Sequence, residues 1–137
     1  MNSPQPGFRE LPHTADWALE VWAHDFPALL EQAARGMYAL TSAQLKAGPR
    51  AVRELELQGY DREILLVKFL TEILYFGLME DLGFDTFDIR ASETALHARL
   101  EGAPLESQSK EIKAVTYHHL AIRETERGLE VKIVFDV

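Results

Sequence analysis

Carboxylates at two distant points of the chain could meet at one metal site. Asp16 lies in a turn just before a predicted strand, and Asp136 lies at the end of the last predicted strand, before Val137. If these two strands pair antiparallel, both side chains and the free carboxylate of Val137 come together. Oxygen ligands of this kind suit a hard divalent cation such as calcium, magnesium or manganese. The alternative is a turn-capping Asp16 and a solvated chain end.

Three histidines and one lysine offer other chemistry. His13, His118 and His119 could bind zinc or another transition metal together with a carboxylate, but ordinary hydrogen bonding is the simpler account of each. His118 and His119 are neighbours on a predicted strand, so their side chains would point to opposite faces. Lys113 lies at the entrance of that strand, where it could meet an anionic partner or face water. His13, Lys113 and His118 are therefore candidates for the rim of the carboxylate site or for contact with a partner.

The strands that would carry these residues show a period of two. Apolar side chains alternate in residues 17–24 and again in residues 130–137, as in strands with one buried face. Further strands are predicted at residues 8–11, 52–57, 84–91, 94–100 and 114–123. Residues 92–93 would join one hairpin and residues 124–128 another, whereas residues 102–110 are expected to form a polar connection.

Two longer stretches predict helices. Asp25 is expected to cap a helix that ends near Leu40, and Asp61 to cap a longer one that reaches about Asp81 and is stopped by Gly83. The second helix is apolar on nearly all sides, so we expect it to be buried on most of its surface. Two helices among about seven strands predict an α+β fold with two layers, a mixed but largely antiparallel sheet and two main helices.

Composition narrows the class of protein. The 137 residues fit one domain, residues 1–137, with residues 1–7 as a flexible lead. Fourteen Lys and Arg against 22 Asp and Glu give a net charge of −8, which disfavours direct binding to nucleic acid or to anionic membranes. The absence of cysteine excludes disulfides and thiolate metal sites. Without a signal-peptide pattern or a membrane-length apolar run, we expect a cytoplasmic location.

Several segments together resemble the archease family. The resemblance extends from Phe8 to Val137, and it depends on HTAD at residues 13–16, DREILL at 61–66, FLTEILY at 69–75, EIKAVTYH at 111–118 and VFDV at 134–137. It implies a small protein partner of the RtcB-type RNA ligase, which joins RNA ends in tRNA splicing and repair. Such a partner stimulates guanylylation of the ligase and its repeated turnover.

The resemblance also implies a divalent-metal site, with calcium as the first choice and magnesium or manganese as alternatives. Carried over to this sequence, its ligands are Asp16, Asp136 and the terminal carboxylate of Val137. Trp17 and Ala18 replace a smaller aliphatic pair that is typical of the family, so the rim of the site is expected to differ.

Three readings of function compete. The first is a non-catalytic activator that docks on an RNA ligase and presents a metal and its acidic surroundings, with no catalytic residue of its own. The second is a stand-alone metal-dependent hydrolase that uses Asp16 and Asp136, with His13 or His118 as general base. The third is a chaperone-like binding module. The sequence lacks a phosphate-binding glycine loop, a Gly-x-Ser-x-Gly elbow and a His-Glu-x-x-His helix, which favours a non-enzymatic role.

Overall fold

The structure is a computed structural model that describes residues 5–11 and 17–137. In chain order the described elements are β1 (Gly7–Leu11), β2 (Trp17–Ala23), α1 (Phe26–Leu40), β3 (Gln44–Leu45), β4 (Ala51–Gln58), α2 (Arg62–Glu80), β5 (Leu82–Ala91), β6 (Ala95–Ser107), β7 (Ala114–Val115), β8 (Arg123–Thr125) and β9 (Gly128–Asp136). This confirms the α+β class. No helix in the described ranges is both long and apolar enough to cross a membrane.

The strands divide into two antiparallel sheets instead of one. The first has the order β1-β2-β9-β7, with β8 also paired to β9, and the second is built on β6, which pairs with β3, β4 and β5. Strands β5 and β6 form the predicted hairpin, and Ser92 closes its turn by donating a 2.9 Å backbone hydrogen bond to Ala95. The sheet that matters for the carboxylate site is the first one.

Side-chain caps begin both helices where the sequence predicts them. Asp25 accepts a 2.9 Å hydrogen bond from the backbone N–H of Ala28, and Asp61 accepts one of the same length from Ile64. Each cap satisfies an amide that has no partner within its helix. The bounds of α1 and the start of α2 are therefore fixed locally.

The two helices join the sheets into one core. Helix α1 contacts β1, β2 and β9 of the first sheet and β5 of the second, whereas α2 contacts β4, β5 and β6 and reaches β7. The largest side chains that are completely buried come from both helices and both sheets, and they include Leu19, Leu29, Phe69, Leu100 and Phe135. Burial of this apolar area supplies most of the stabilisation of the fold.

Several local predictions are wrong. Helix α2 reaches Glu80 with Asp81 as its left-handed C-cap (φ 55°), close to the predicted end, but Gly83 does not stop the helix, because it lies inside β5. Residues 102–107 continue β6, because Gly102 lets the backbone pass so close to Gly83 that a Cβ would overlap its carbonyl oxygen. Gly7, expected in the flexible lead, is the first residue of β1.

The predicted strand at residues 114–123 is also wrong. Within the described residues 114–125, only Ala114–Val115 and Arg123–Thr125 pair with β9. Between them the chain turns, with a 3.1 Å hydrogen bond from Leu120 N–H to the carbonyl of Tyr117 and a left-handed His119 (φ 50°). A residue in that conformation cannot continue a strand, so the ladder is interrupted.

Candidate functional site

The strand that begins at Trp17 neighbours the strand that ends at Asp136, as the sequence predicts. Strands β2 and β9 pair antiparallel over seven residue pairs, from Ala23 opposite Leu129 to Trp17 opposite Phe135. The Phe135 side chain is completely buried, which fixes this end of the pair in the core. The start of β2 and the end of β9 therefore lie at the same edge of the molecule.

The predicted carboxylate ligands divide between described and undescribed parts of the chain. Asp136 is exposed at the end of β9 and Val137 is half-buried. Asp16 and His13 lie outside the described residues. Within the described residues, no ion pair or side-chain hydrogen bond neutralises the Asp136 carboxylate, and no three His, Asp or Glu residues form a metal-binding group.

Two acidic residues of the same sheet, Glu20 and Glu130, are neutralised by arginine, unlike Asp136. Arg127 donates a 2.6 Å hydrogen bond to the carboxylate of Glu20 and also pairs with Glu130, while its guanidinium lies over the ring of Trp22. Hydrogen bonding from Arg127 lowers the pKa of the Glu20 carboxyl and of the Glu130 carboxyl. These two glutamates belong to a structural ion-pair network and are poorly suited to bind a cation.

Lys113 lies against the strand that carries Asp136. Its backbone N–H donates a 2.8 Å hydrogen bond to the carbonyl oxygen of Asp136, and the next residue, Ala114, pairs directly with Asp136. The Lys113 side chain is exposed. Nearby, the ammonium group of Lys110 lies 5.0 Å from the centre of the Trp17 ring. Two lysines thus flank the edge where β2 begins and β9 ends.

His118 lies in the turn after β7, not on a strand. Its backbone N–H donates a 3.3 Å hydrogen bond to the Thr116 hydroxyl, which in turn donates a 2.9 Å bond to the carbonyl oxygen of Val134. The rings of His118 and His119 lie 4.2 Å apart, edge to face, so the expectation that they point to opposite faces is wrong. Both imidazoles are exposed, and no described contact joins either of them to Asp136.

A cleft of about 520 Å³ opens beside Lys113, and the sequence does not predict it. It is lined by the end of α1, the second half of α2 and the segment after β6, namely Met37, Tyr38, Thr41, Thr71, Ile73, Leu74, Tyr75, Gly77, Leu78, Leu105, Gln108, Lys110, Glu111, Ile112, Lys113, Ala114 and Val115. The second half of α2 exposes Tyr75, Leu78 and Met79, contrary to the prediction that this helix is buried on most sides. The sequence signal for this surface is that the helix is apolar on nearly all sides, and the same pattern is equally typical of a buried helix.

Comparison with known proteins gives consistent matches along the chain. The family model described as Archease protein family (MTH1598/TM1083) matches residues 8–137. The chain is 30% identical to Protein archease of Saccharolobus islandicus over 138 residues, covering 95% of this chain and 98% of that protein. It is also 30% identical to Protein archease of Methanosarcina barkeri over 146 residues, covering 100% of both.

Two solved structures share the fold. The crystal structure of an archease, possible chaperone, from Thermotoga maritima superimposes with a TM-score of 0.72 at 21% identity, covering 100% of this chain and 98% of that chain. The solution structure of protein 1598 from Methanobacterium thermoautotrophicum gives a TM-score of 0.69 at 24% identity, covering 96% and 99%.

Proposed function

The chain belongs to the archease family, and from this premise we propose that it is a non-catalytic activator of an RtcB-type RNA ligase. In this role it docks on the ligase in the cytoplasm, stimulates guanylylation of the ligase and supports its multiple turnover in tRNA splicing and RNA repair. The observation that carries the proposal is the family match over residues 8–137.

The charge of the chain supports a protein partner over direct contact with RNA. A net charge of −8 repels phosphate backbones and attracts a basic, RNA-binding enzyme. The activator therefore acts on the ligase itself, without binding nucleic acid directly.

The activator's metal site is proposed at Asp16, Asp136 and the terminal carboxylate of Val137. Trp17 lies opposite Phe135, and one peptide bond joins Asp16 to Trp17 in the sequence, as one joins Asp136 to Phe135. Three carboxylates at one edge repel one another unless a cation lies between them. Their oxygen atoms favour calcium, with magnesium or manganese as alternatives.

A bound cation would supply positive charge and open coordination positions at the surface that meets the ligase. The chain itself positions the end of β9, which carries Asp136. The ladder between β2 and β9 fixes the strand end, and the Lys113 backbone holds the Asp136 carbonyl while leaving its carboxylate exposed. His13, Lys113 and His118 remain candidates for the rim or for contact with the ligase.

The proposal is tested by measuring guanylylation of the RtcB-type ligase from the same organism, with radiolabelled GTP, in the presence and absence of this protein. Stimulation that requires a divalent cation, together with repeated ligation by substoichiometric ligase, is the expected result. A parallel screen for phosphoesterase activity uses the protein alone with calcium, magnesium or manganese. Phosphoesterase activity without any effect on the ligase would favour the alternative, a stand-alone metal-dependent hydrolase.

A further inference from the structure

We propose that the cleft beside α2 is the docking groove for an acidic segment of the ligase, whose apolar side chain enters the cleft while its carboxylates meet Lys110 and Lys113. This inference rests on the proposed function for the identity of the partner. It goes beyond that function by assigning the anchoring contact to a surface distinct from the carboxylates of Asp16, Asp136 and Val137.

The second half of α2 supplies exposed apolar side chains to the cleft. Tyr75 and Leu78 line the cleft and are 55% and 72% exposed, although both are large apolar side chains. Ile112 and Leu105, which line the cleft as well, are buried. A cleft with apolar walls and exposed apolar residues at its mouth suits the insertion of an aliphatic or aromatic side chain.

The rim of the cleft carries charged side chains. Lys110 and Lys113 line the same cleft on either side of the exposed Glu111, so the lysines outnumber the acidic residue at this rim. Both lysine side chains are exposed, and neither forms an ion pair with a described carboxylate. Several arginines of the chain, by contrast, are paired, as Arg53 is with Glu80 and Arg50 with Asp85. Two exposed lysines against one glutamate give the rim a local positive charge, which favours a segment that carries carboxylates next to its apolar side chain.

The cleft lies next to Asp136, so the protein that contacts Asp136 is also the expected occupant of the cleft. Lys113 donates its backbone N–H to Asp136, Ala114 pairs with Asp136, and both residues line the cleft. Lys110 reaches over Trp17, which is the residue after Asp16. A protein that engages the edge with Asp136 therefore covers the mouth of the cleft in the same encounter, so one partner accounts for both surfaces.

The central variant is Leu78→Glu, with Met79→Glu as its matched control. Both residues are exposed apolar side chains near the end of α2, and both changes add one negative charge, but only Leu78 lines the cleft. Affinity for the purified ligase, measured by calorimetry, is expected to fall roughly tenfold or more for Leu78→Glu and to stay within about twofold for Met79→Glu. The melting temperatures of the two variants should match each other, because both side chains are exposed and both changes add one negative charge to the last turn of α2.

The rim is tested with Lys110→Glu and its control Lys46→Glu. Lys46 is also exposed, but it does not line the cleft. Lys110→Glu should weaken binding and reduce the dependence of affinity on salt concentration, whereas Lys46→Glu should change neither by more than about twofold. Equal loss in the two variants would indicate a general charge effect and would contradict the docking groove.

Kinetics separate docking from activation. Leu78→Glu should raise the protein concentration that gives half-maximal guanylylation and leave the maximum unchanged, whereas Asp136→Ala should lower the maximum. If the unchanged protein neither binds nor stimulates the ligase, the proposed function fails and the groove fails with it. If the unchanged protein binds and Leu78→Glu binds equally well, only the groove is rejected. Light scattering on the protein alone adds one more outcome, because a dimer that Leu78→Glu dissociates would identify a second copy as the occupant and overturn the proposal.

Discussion

The backbone N–H of Lys113 donates a 2.8 Å hydrogen bond to the carbonyl oxygen of Asp136. This bond joins the segment that lines the cleft to the strand that carries a predicted metal ligand. The Asp136 side chain takes no part in it and is exposed. The bond thus fixes the backbone that carries the carboxylate, and the side chain can be changed without breaking the link.

Asp136→Ala should abolish calcium binding and stimulation of the ligase while leaving the fold intact. Removal of one carboxylate from a group of like charges relieves repulsion, so stability without metal should be equal or slightly higher. Calcium titration calorimetry, guanylylation and thermal unfolding measure the three properties. Glu106→Ala, which removes an exposed carboxylate of β6, is the control and should leave all three unchanged. Normal activation by Asp136→Ala at limiting divalent cation would reject the site.

Glu20→Gln should lower the melting temperature at pH 7 but not at low pH. The pKa of Glu20 is lowered in the folded state by the hydrogen bond from Arg127, so its charged form contributes stability above the unfolded pKa. That contribution is lost as the pH falls through the folded pKa of Glu20, which lies below the usual glutamate value of about 4.3. The melting temperatures of the two proteins should therefore converge once the pH falls below the folded pKa of Glu20. Glu10→Gln, an exposed glutamate of the neighbouring strand, should show no gap at either pH.

Asp81→Gly should stabilise the protein by about 0.5–1 kcal/mol. Asp81 ends α2 in the left-handed conformation, which costs less for glycine than for a residue with a side chain. Its negative charge at the C-terminal end of the helix also opposes the helix dipole. Urea unfolding of Asp81→Asn separates the two effects, since asparagine removes only the charge and should contribute a few tenths of a kcal/mol. A loss of stability in Asp81→Gly would mean that the Asp81 side chain has a favourable contact of its own.

Local patterns predict much of the framework in this protein. The alternation in residues 17–24 and 130–137 predicts β2 and β9, because one face of each strand packs on the core. Asp25 and Asp61 predict the helix starts, since each cap is satisfied within three residues. The hypothesis that Asp16 and Asp136 share an ion predicts that β2 lies next to β9, but it does not predict the register that pairs Trp17 with Phe135.

The structure differs from the sequence-based predictions where the conformation or burial of a residue cannot be inferred from its neighbours in the sequence. His119 adopts a left-handed conformation without being glycine, so nothing in the sequence marks the turn that interrupts the predicted strand at 114–123. Gly102 resembles a turn residue, yet it lies within β6 because another backbone passes close to it. Leu78 has the same apolar character as the buried residues of α2, and only the packing of the neighbouring elements leaves it exposed.

A short neutral tag after Val137 should weaken calcium binding more than the same tag placed before Met1. The C-terminal tag converts the Val137 carboxylate into a neutral amide and moves the terminal charge to the end of the tag. A bound ligand raises stability by RT ln(1 + [L]/Kd), or about 2.7 kcal/mol at a hundredfold excess over Kd. The calcium-induced rise in melting temperature should therefore be smaller for the C-terminally tagged protein than for the untagged or N-terminally tagged proteins. An equal rise in all three would show that the terminal carboxylate contributes nothing, and would leave Asp16 and Asp136 to bind the ion with other groups.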